Sequence, residues 1–110
     1  MNALNHGDYL KNVNSMFRVA GLDAPAEIEL AEVNGLKSSA EQDSFSLVFQ
    51  GGRDRFLPQG LYSLEHESLG SGMIFLVPVG ETEDRYLYEA VFNRMKSKNE
   101  NNVEEIPTGD

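Results

Sequence analysis

The chain has 110 residues, 40% of them hydrophobic, and its 18 Asp and Glu against 9 Lys and Arg give a net charge of −9. This length supports one domain with one core, and the negative charge repels phosphate backbones and anionic lipid, which argues against nucleic acid and membrane surfaces as partners. The absence of cysteine excludes a disulfide framework, a thiolate nucleophile and a cysteine-based zinc site, and it fits a cytoplasmic location.

A short N-terminal helix is predicted within residues 4–13. Asn5 can act as its N-cap by accepting a hydrogen bond from a free amide of the first turn. Asp8 then lies where the helix dipole favours negative charge. Leu4 and Tyr9 occupy the two positions of a hydrophobic staple around that cap, so the sequence defines where the helix begins.

Two strands should follow the helix, over residues 16–19 and 27–33. Apolar side chains alternate in both, as in a half-buried strand, but the alternation slips near Ala31, which predicts a β-bulge. The Asn-Gly dipeptide at 34–35 is typical of a tight turn. The polar residues 37–43 are expected to form a mobile loop.

Four further strands are predicted in the second half of the chain. Residues 73–79 form the longest apolar run, and their β-branched and aromatic content indicates a central strand that is buried on both faces, Phe75 included. Pro78 cannot donate to a sheet ladder, so this strand should end at an edge or a bulge. The other three strands alternate more regularly and cover residues 44–50, 61–66 and 85–92.

These elements predict a mainly β domain, built as a small antiparallel barrel or sandwich of about six strands with one short N-terminal helix. A parallel sheet is not expected, because no helix separates the strands. The domain should cover residues 1–95, and the polar, acidic residues 96–110 should form a disordered tail. A free edge near Pro78 predicts a homodimer, against the net charge of −9, which argues for a monomer.

Four segments within residues 45–93 resemble a family of small uncharacterised bacterial proteins. They read FSLVFQG at 45–51, LPQGLY at 57–62, HESLG at 66–70, and IFLVPVG at 74–80 followed by YEAVFN at 88–93. The resemblance covers about half of the chain and implies a single small domain with no established activity. Members of that family look like companions of tail-collar-like proteins, which implies an accessory role in a larger assembly.

Three side chains are candidates for a ligand or partner site: Arg53, Arg55 and His66. The two arginines follow a Gly-Gly pair in a predicted loop and could bind a carboxylate, which guanidinium groups recognise well; the alternative is pairing with the protein's own acids. His66 lies between two glutamates on a predicted strand, where neighbouring side chains point to opposite faces and rarely bind one ion. Its alternative is a partly buried strand residue hydrogen-bonded to a nearby loop.

The remaining motifs predict no catalytic group, metal site or cofactor. The Gly-Ser-Gly at 70–72 lacks the lysine and the helix of a phosphate loop. Two distant histidines give no zinc spacing, and the acidic residues 81–84 do not follow a calcium-loop pattern. No serine lies in a nucleophile elbow, and neither a signal peptide nor a membrane-spanning segment is predicted.

Two hypotheses for function follow. The first is a non-catalytic interaction or structural module with an unidentified protein partner, as an accessory of a larger tail-like bacterial assembly. The second is a small ligand-binding or enzymatic β-barrel that uses His66 and the loop carrying Arg53 and Arg55, and it requires a concave pocket containing those side chains. The first hypothesis is preferred, because the sequence contains no recognisable catalytic grouping.

Overall fold

The structure, a computed structural model, describes residues 4–35 and 37–95. This part of the chain contains one helix and seven strands. In chain order they are α1 (His6–Leu10), β1 (Met16–Ala20), β2 (Ala26–Val33), β3 (Lys37–Ser38), β4 (Gln42–Gly52), β5 (Gly60–His66), β6 (Gly70–Glu81) and β7 (Arg85–Met95). The tail predicted for residues 96–110 lies outside the described residues.

Six of the strands form a closed antiparallel barrel. Around the wall their order is β1, β2, β4, β7, β6, β5, and the pairing of β5 with β1 closes the ring. The short β3 pairs with β4 beyond the end of β2. The predicted mainly β fold with one short N-terminal helix is therefore confirmed, and of the two predicted architectures the chain adopts the barrel.

The helix α1 begins at the predicted cap. Asn5 Oδ1 accepts a hydrogen bond from the Asp8 amide at 2.9 Å, and the Asp8 carboxylate accepts one from the Asn5 amide at 2.9 Å. This reciprocal capping box satisfies two amides at the N-terminal end of the helix. The helix ends at Leu10, earlier than the predicted segment 4–13, and its residue Tyr9 is fully buried.

The β-bulge predicted near Ala31 is confirmed, because the register between β2 and β4 shifts between Leu30 and Glu32. A bulge adds one residue to one strand of a pair and returns later side chains to their proper face. It explains why the apolar alternation of this segment slips in the sequence.

The turn predicted at 34–35 and the loop predicted at 37–43 are wrong. Strands β2 and β3 both run antiparallel to β4, so the chain keeps its direction past 34–35 and reverses only between Ser38 and Gln42. Ser39 stabilises that reversal, since its hydroxyl accepts a hydrogen bond from the Gln42 amide at 3.1 Å. Short-range turn propensity was overridden here by pairing with a long neighbouring strand.

The prediction that residues 73–79 are buried on both faces is also wrong. Ile74 and Leu76 point into the barrel and are almost fully buried, whereas Met73 and Phe75 are 48% and 49% exposed. The barrel has a single wall, so within the described residues only the inner face of β6 is covered. The apolar outer residues of this strand therefore face away from the core.

Pro78 lies at a bulge in the part of β6 that pairs with β7. It is the register partner of Tyr88 on β7, and the register shifts between Pro78 and Gly80. Strand β6 has β5 on its other side, where pairing ends at Leu76. Both predicted alternatives therefore hold: Pro78 lies at a bulge, and within the described residues the β5 side of residues 77–81 has no strand partner.

Side chains fill the barrel and close both of its ends. At one end, Tyr9 of α1 stacks against Phe92 with ring centroids 5.6 Å apart. At the other end, Leu57 in the β4–β5 connection is buried, and its amide donates a hydrogen bond to Tyr88 Oη at 3.0 Å. A Cβ at the buried Gly51 would lie 3.2 Å from the Tyr88 ring, so glycine leaves room for that tyrosine. The largest fully buried side chains are Tyr9, Tyr88, Phe17, Phe49, Ile28, Leu30, Leu47, Leu64, Leu76 and Val19.

Candidate binding face

Arg53, the first predicted site residue, lies at the barrel end that Leu57 closes. Its guanidinium donates to the Thr82 carbonyl at 3.1 Å, lies 3.3 Å from the Glu81 carboxylate and stacks over the Tyr86 ring at 4.7 Å. These contacts join the β4–β5 connection to the turn between β6 and β7. The side chain therefore fastens two connections of this chain together.

Arg55 lies in the same connection and contacts a different neighbour. Its guanidinium donates to the Asp23 carboxylate at 3.1 Å and to the Ala24 carbonyl at 3.3 Å, both in the β1–β2 connection. Arg55 thus pairs with one of the protein's own acids, which is the alternative that the sequence left open for both arginines.

His66 ends β5 at the opposite end of the barrel, near α1. Its Nδ1 accepts hydrogen bonds from the amides of Ser68 and Leu69 at 3.0 and 3.1 Å. Its Nε2 lies 2.9 Å from Ser15 Oγ, and its ring packs on Phe17 at a centroid distance of 4.6 Å. These are the contacts of a partly buried strand residue that is hydrogen-bonded to nearby loops.

The three predicted site residues are therefore not brought together. Arg53 and Arg55 follow β4 at one barrel end, and His66 lies at the other end, with the filled barrel between them. His66 lines a shallow depression beside Arg18 and Glu67, whereas Arg55 lines another one beside Leu57. Each of the three side chains already has partners within the chain.

The outer surface of the barrel is divided into two unlike parts. Charged residues project outward from β1, β2 and the end of β5 that carries Glu65: Arg18 is the register partner of both Glu27 and Glu65, and it forms an ion pair with Glu65. Glu29 follows two residues after Glu27 on the same side of β2. This side carries charge of both signs, as an ordinary solvated protein surface does.

Large apolar residues project outward from the neighbouring strands, interspersed with polar ones: Ser46 is the register partner of Val91, Gln50 of Leu87 and Ser63 of Met73. Leu61 on β5 is the register partner of Phe75 on β6, and the two are 60% and 49% exposed. Val91 on β7 is 59% exposed. We define the apolar face by the outward apolar residues of β4, β5, β6 and β7, namely Val48, Leu61, Met73, Phe75, Val77, Leu87 and Val91.

One ionisable side chain, Glu89, lies among the residues of the apolar face. It is partly buried, and its register partners on the two neighbouring strands are Val48 and Val77. Leu87 and Val91 lie two residues away on the same side of β7. Within the described part of the chain, Glu89 has neither an ion pair nor a side-chain hydrogen bond.

A groove of about 570 Å³ runs along the β3, β4 and β7 side of the apolar face. Val91 and Glu89 form one part of its lining, and Lys37 of β3 another. The remaining lining is mostly small and uncharged: Asn34, Gly35, Ser44, Phe45, Ser46 and Asn93. The groove extends the apolar face toward a polar margin.

Sequence reasoning missed this face because it assigned the apolar run 73–79 to the core. The useful pattern was present in β7, where alternation puts Tyr86, Tyr88, Ala90 and Phe92 on one side of the strand, and the structure shows that this side points inward. That assignment left Leu87 and Val91 on the outer side. An apolar outer side on two neighbouring strands indicates an interface, and the register that makes them neighbours comes only from the structure.

Two buried phenols have shifted acidity. Burial raises the pKa of Tyr88, and the hydrogen bond from the Leu57 amide opposes this shift. Burial also raises the pKa of Tyr9, and the nearby Arg94 guanidinium opposes it. Among the described residues, Tyr9 Oη has no hydrogen-bond partner of normal geometry. Both phenols belong to the core and lie inside the barrel.

Within residues 4–35 and 37–95, no three His, Cys, Asp or Glu side chains are grouped as metal ligands would be. The same residues contain no helix long and apolar enough to cross a membrane. The candidate site that the geometry offers is a surface, the apolar face with its groove.

The chain is thus a small antiparallel barrel with a filled interior and one apolar outer side. The chain belongs to a family of unknown function, the domain of unknown function DUF6916, which matches residues 4–92. Neither the curated proteins nor the solved structures compared with the chain contain a match.

Proposed function

We propose that this protein is a non-catalytic interaction module that binds another protein through the apolar face. The observation that carries the proposal is the cluster of large, half-exposed apolar side chains on adjoining strands of a chain whose net charge is −9. Monomeric proteins rarely expose contiguous apolar patches unless something binds there. The centres of protein interfaces are depleted in charge and enriched in aromatic residues and methionine. The apolar face contains both types, Phe75 and Met73.

The alternative, a ligand-binding or enzymatic barrel using His66, Arg53 and Arg55, needs these side chains around one pocket. They lie at opposite ends of the barrel, and the interior between them is filled. The proposal therefore assigns these side chains to holding connections of the barrel in place. The interaction module needs none of them as a reactive group.

The proposed setting is a larger bacterial assembly in the cytoplasm. Its support is the resemblance of residues 45–93 to small companions of tail-collar-like proteins, together with the lack of cysteine. The excess of acidic residues favours a protein partner over nucleic acid or a lipid surface. A homodimer could use the apolar face or the β5 side of residues 77–81, which pair with β7 alone in the described chain.

A quantitative pull-down from the native host tests the proposal, with two matched single substitutions. Phe75→Ser changes the apolar face, and Met16→Ser changes a residue of almost equal exposure, 46% against 49%, on the charged side of the barrel. We expect Phe75→Ser to lose a partner that the parent and Met16→Ser both retain. Truncating an interface anchor typically costs about 2 kcal/mol or more of binding free energy.

The outcome against the proposal is a partner retained by Phe75→Ser and lost by Met16→Ser, or no difference among the three proteins. Melting temperatures of the three proteins serve as the control, since a partner lost by an unfolded variant says nothing about the face. Both positions are half exposed, so we expect all three proteins to be folded.

A further inference from the structure

The position of Glu89 indicates which chemical groups a partner of the apolar face should present. Its four nearest outward neighbours, two across the strands and two along β7, are all aliphatic: Val48, Val77, Leu87 and Val91. Directly paired residues on one side of an antiparallel sheet have Cβ atoms about 5 Å apart. The Glu89 carboxylate therefore lies among apolar side chains, on the part of the apolar face that borders the groove.

No described residue neutralises this carboxylate. The three ion pairs of the described chain join Arg18 to Glu65, Arg53 to Glu81 and Arg55 to Asp23. Lys37 lines the same groove as Glu89 but forms no ion pair with it. In the free protein, water solvates the carboxylate.

A partner that covers the apolar face removes this water. A buried charge is costly unless it is paired and hydrogen-bonded. A wholly apolar partner would leave the Glu89 carboxylate without a counter-charge. A second copy bound about a two-fold axis through the face would bring two Glu89 carboxylates toward each other, and each copy carries a net charge of −9.

We propose that Glu89 is an anionic anchor within the apolar face, and that the occupant is a different protein presenting an arginine or lysine from an apolar surface. This inference rests on the proposed function and specifies the chemistry of its partner. Arginine suits the site better than lysine, because its planar guanidinium can bind a carboxylate through two parallel hydrogen bonds. Its aliphatic stem would pack on the surrounding valines.

The charges around the face are consistent with this partner. Glu32 on β2 is exposed and is the register partner of Val48, and the turn between β6 and β7 carries Glu83 and Asp84. The cations at this margin are Lys37, in the lining of the groove, and Arg85, two residues before Leu87 on the same side of β7. A margin with this excess of negative charge favours partners with positive charge around an apolar centre and accelerates their association.

Selection of a random-peptide phage library on the full-length protein tests the inference. We expect the enriched peptides to combine arginine or lysine with aliphatic or aromatic residues. Glu89→Gln keeps the size and shape of the side chain and removes its charge, and we expect it to weaken the selected peptides at least about tenfold. Glu29→Gln is the matched control, since Glu29 is also a partly buried outward glutamate but lies on the charged side; it should leave affinity unchanged.

A second measurement tests whether Glu89 pairs directly with the basic residue of the peptide. In a charge exchange, Glu89→Arg should abolish binding of the selected peptide, and replacing the basic residue of that peptide by glutamate should restore it. Sedimentation velocity should find the parent and Glu89→Gln both monomeric.

Several outcomes would overturn the inference. Selected peptides that are not basic, or that bind Glu89→Gln as tightly as the parent, would contradict the anchor; if they still require Phe75, the proposed function stands. If substitution of neither Glu89 nor Phe75 changes the affinity of the selected peptides, or if no peptide is enriched, both this inference and the proposed binding role of the apolar face are contradicted. A dimer formed by Glu89→Gln with unchanged peptide affinity would show that this carboxylate only keeps copies apart.

Discussion

Two backbone amides converge on one nitrogen of His66, and this fixes the tautomer of the ring. Because Nδ1 accepts from Ser68 and Leu69, the proton of the neutral ring is on Nε2, which donates to Ser15 Oγ. The Ser15 hydroxyl in turn donates to the Asn12 carbonyl. One histidine thus holds the β5–β6 turn and the segment between α1 and β1.

We predict that His66→Ala lowers the free energy of unfolding by about 1–3 kcal/mol, since it leaves turn amides without their acceptor. His66→Asn should restore much of the loss, because an asparagine side chain can accept from the amide two residues on. Urea unfolding of the three proteins measures both effects. Equal stability of all three would contradict the structural role.

The burial of Tyr88 predicts how the stability of the folded protein changes with pH. Burial raises its pKa in the folded protein, so above about pH 10 the unfolded chain releases the phenolic proton first. The unfolded state then binds fewer protons than the folded state, and stability falls as pH rises through the folded pKa. Below about pH 10 this contribution is fully present.

Tyr88→Phe should therefore flatten the loss of stability above about pH 10, while Tyr9 continues to contribute to it. At neutral pH the variant should be less stable by about 1–3 kcal/mol, because the buried Leu57 amide loses its acceptor. Urea midpoints measured on both sides of pH 10 check the two effects. A variant with the parent's alkaline slope would contradict the assignment to Tyr88.

At the scale of elements, β6 shows that a residue in an apolar run can face either the core or the outside of the barrel. Phe49 on β4 is fully buried, and Phe75 on β6 is half exposed although it lies in the more hydrophobic segment. Removing a fully buried phenylalanine loses transfer free energy and leaves a cavity, at a cost of about 3–5 kcal/mol. A half-exposed one loses only part of the transfer free energy, about 1 kcal/mol.

We accordingly predict that Phe49→Ala leaves the protein marginal or unfolded and that Phe75→Ala leaves it folded with a small loss of stability. Thermal unfolding of the two variants beside the parent provides the comparison. If Phe75→Ala were as damaging as Phe49→Ala, the outer side of β6 would be covered and the apolar face would not be free.

How far the sequence predicted these elements depended on whether the cause was local. The Asn5 cap and the bulge near Ala31 follow from side-chain chemistry and alternation within a few residues, and both were predictable. The chain direction at 34–35 depends on pairing with β4, which no local pattern encodes. The burial of Phe75 depends on what covers the wall, and a period-two pattern shows two sides but not which one is covered.

The same distinction between local and non-local causes applies to the candidate site residues. Arg53, Arg55 and His66 stood out because their residue types can carry chemistry, but their partners lie on distant connections. Glu89 is one of 18 acidic residues and nothing near it in sequence marks it. Only the registers of β4 and β6 against β7 place it between two valines.

At the scale of the molecule, the central feature is the unequal distribution of charge around a closed barrel. Charged residues occupy the outside of β1 and β2, whereas β6, β7 and the adjoining parts of β4 and β5 present the apolar face. Closure gives each of the six strands two neighbours and so limits exposed strand edges, although residues 77–81 of β6 pair with β7 alone.

The most direct test of this account is site-specific photocrosslinking in the native host. A photoreactive amino acid at position 91 lies on the apolar face, and one at position 16 lies on the charged side; the native Val91 and Met16 are both exposed. We predict a defined protein adduct from position 91 that is absent from position 16 and that disappears when Phe75→Ser is added. Adducts formed equally from both positions, or formed only from position 16, would contradict the assignment of the apolar face as the binding surface.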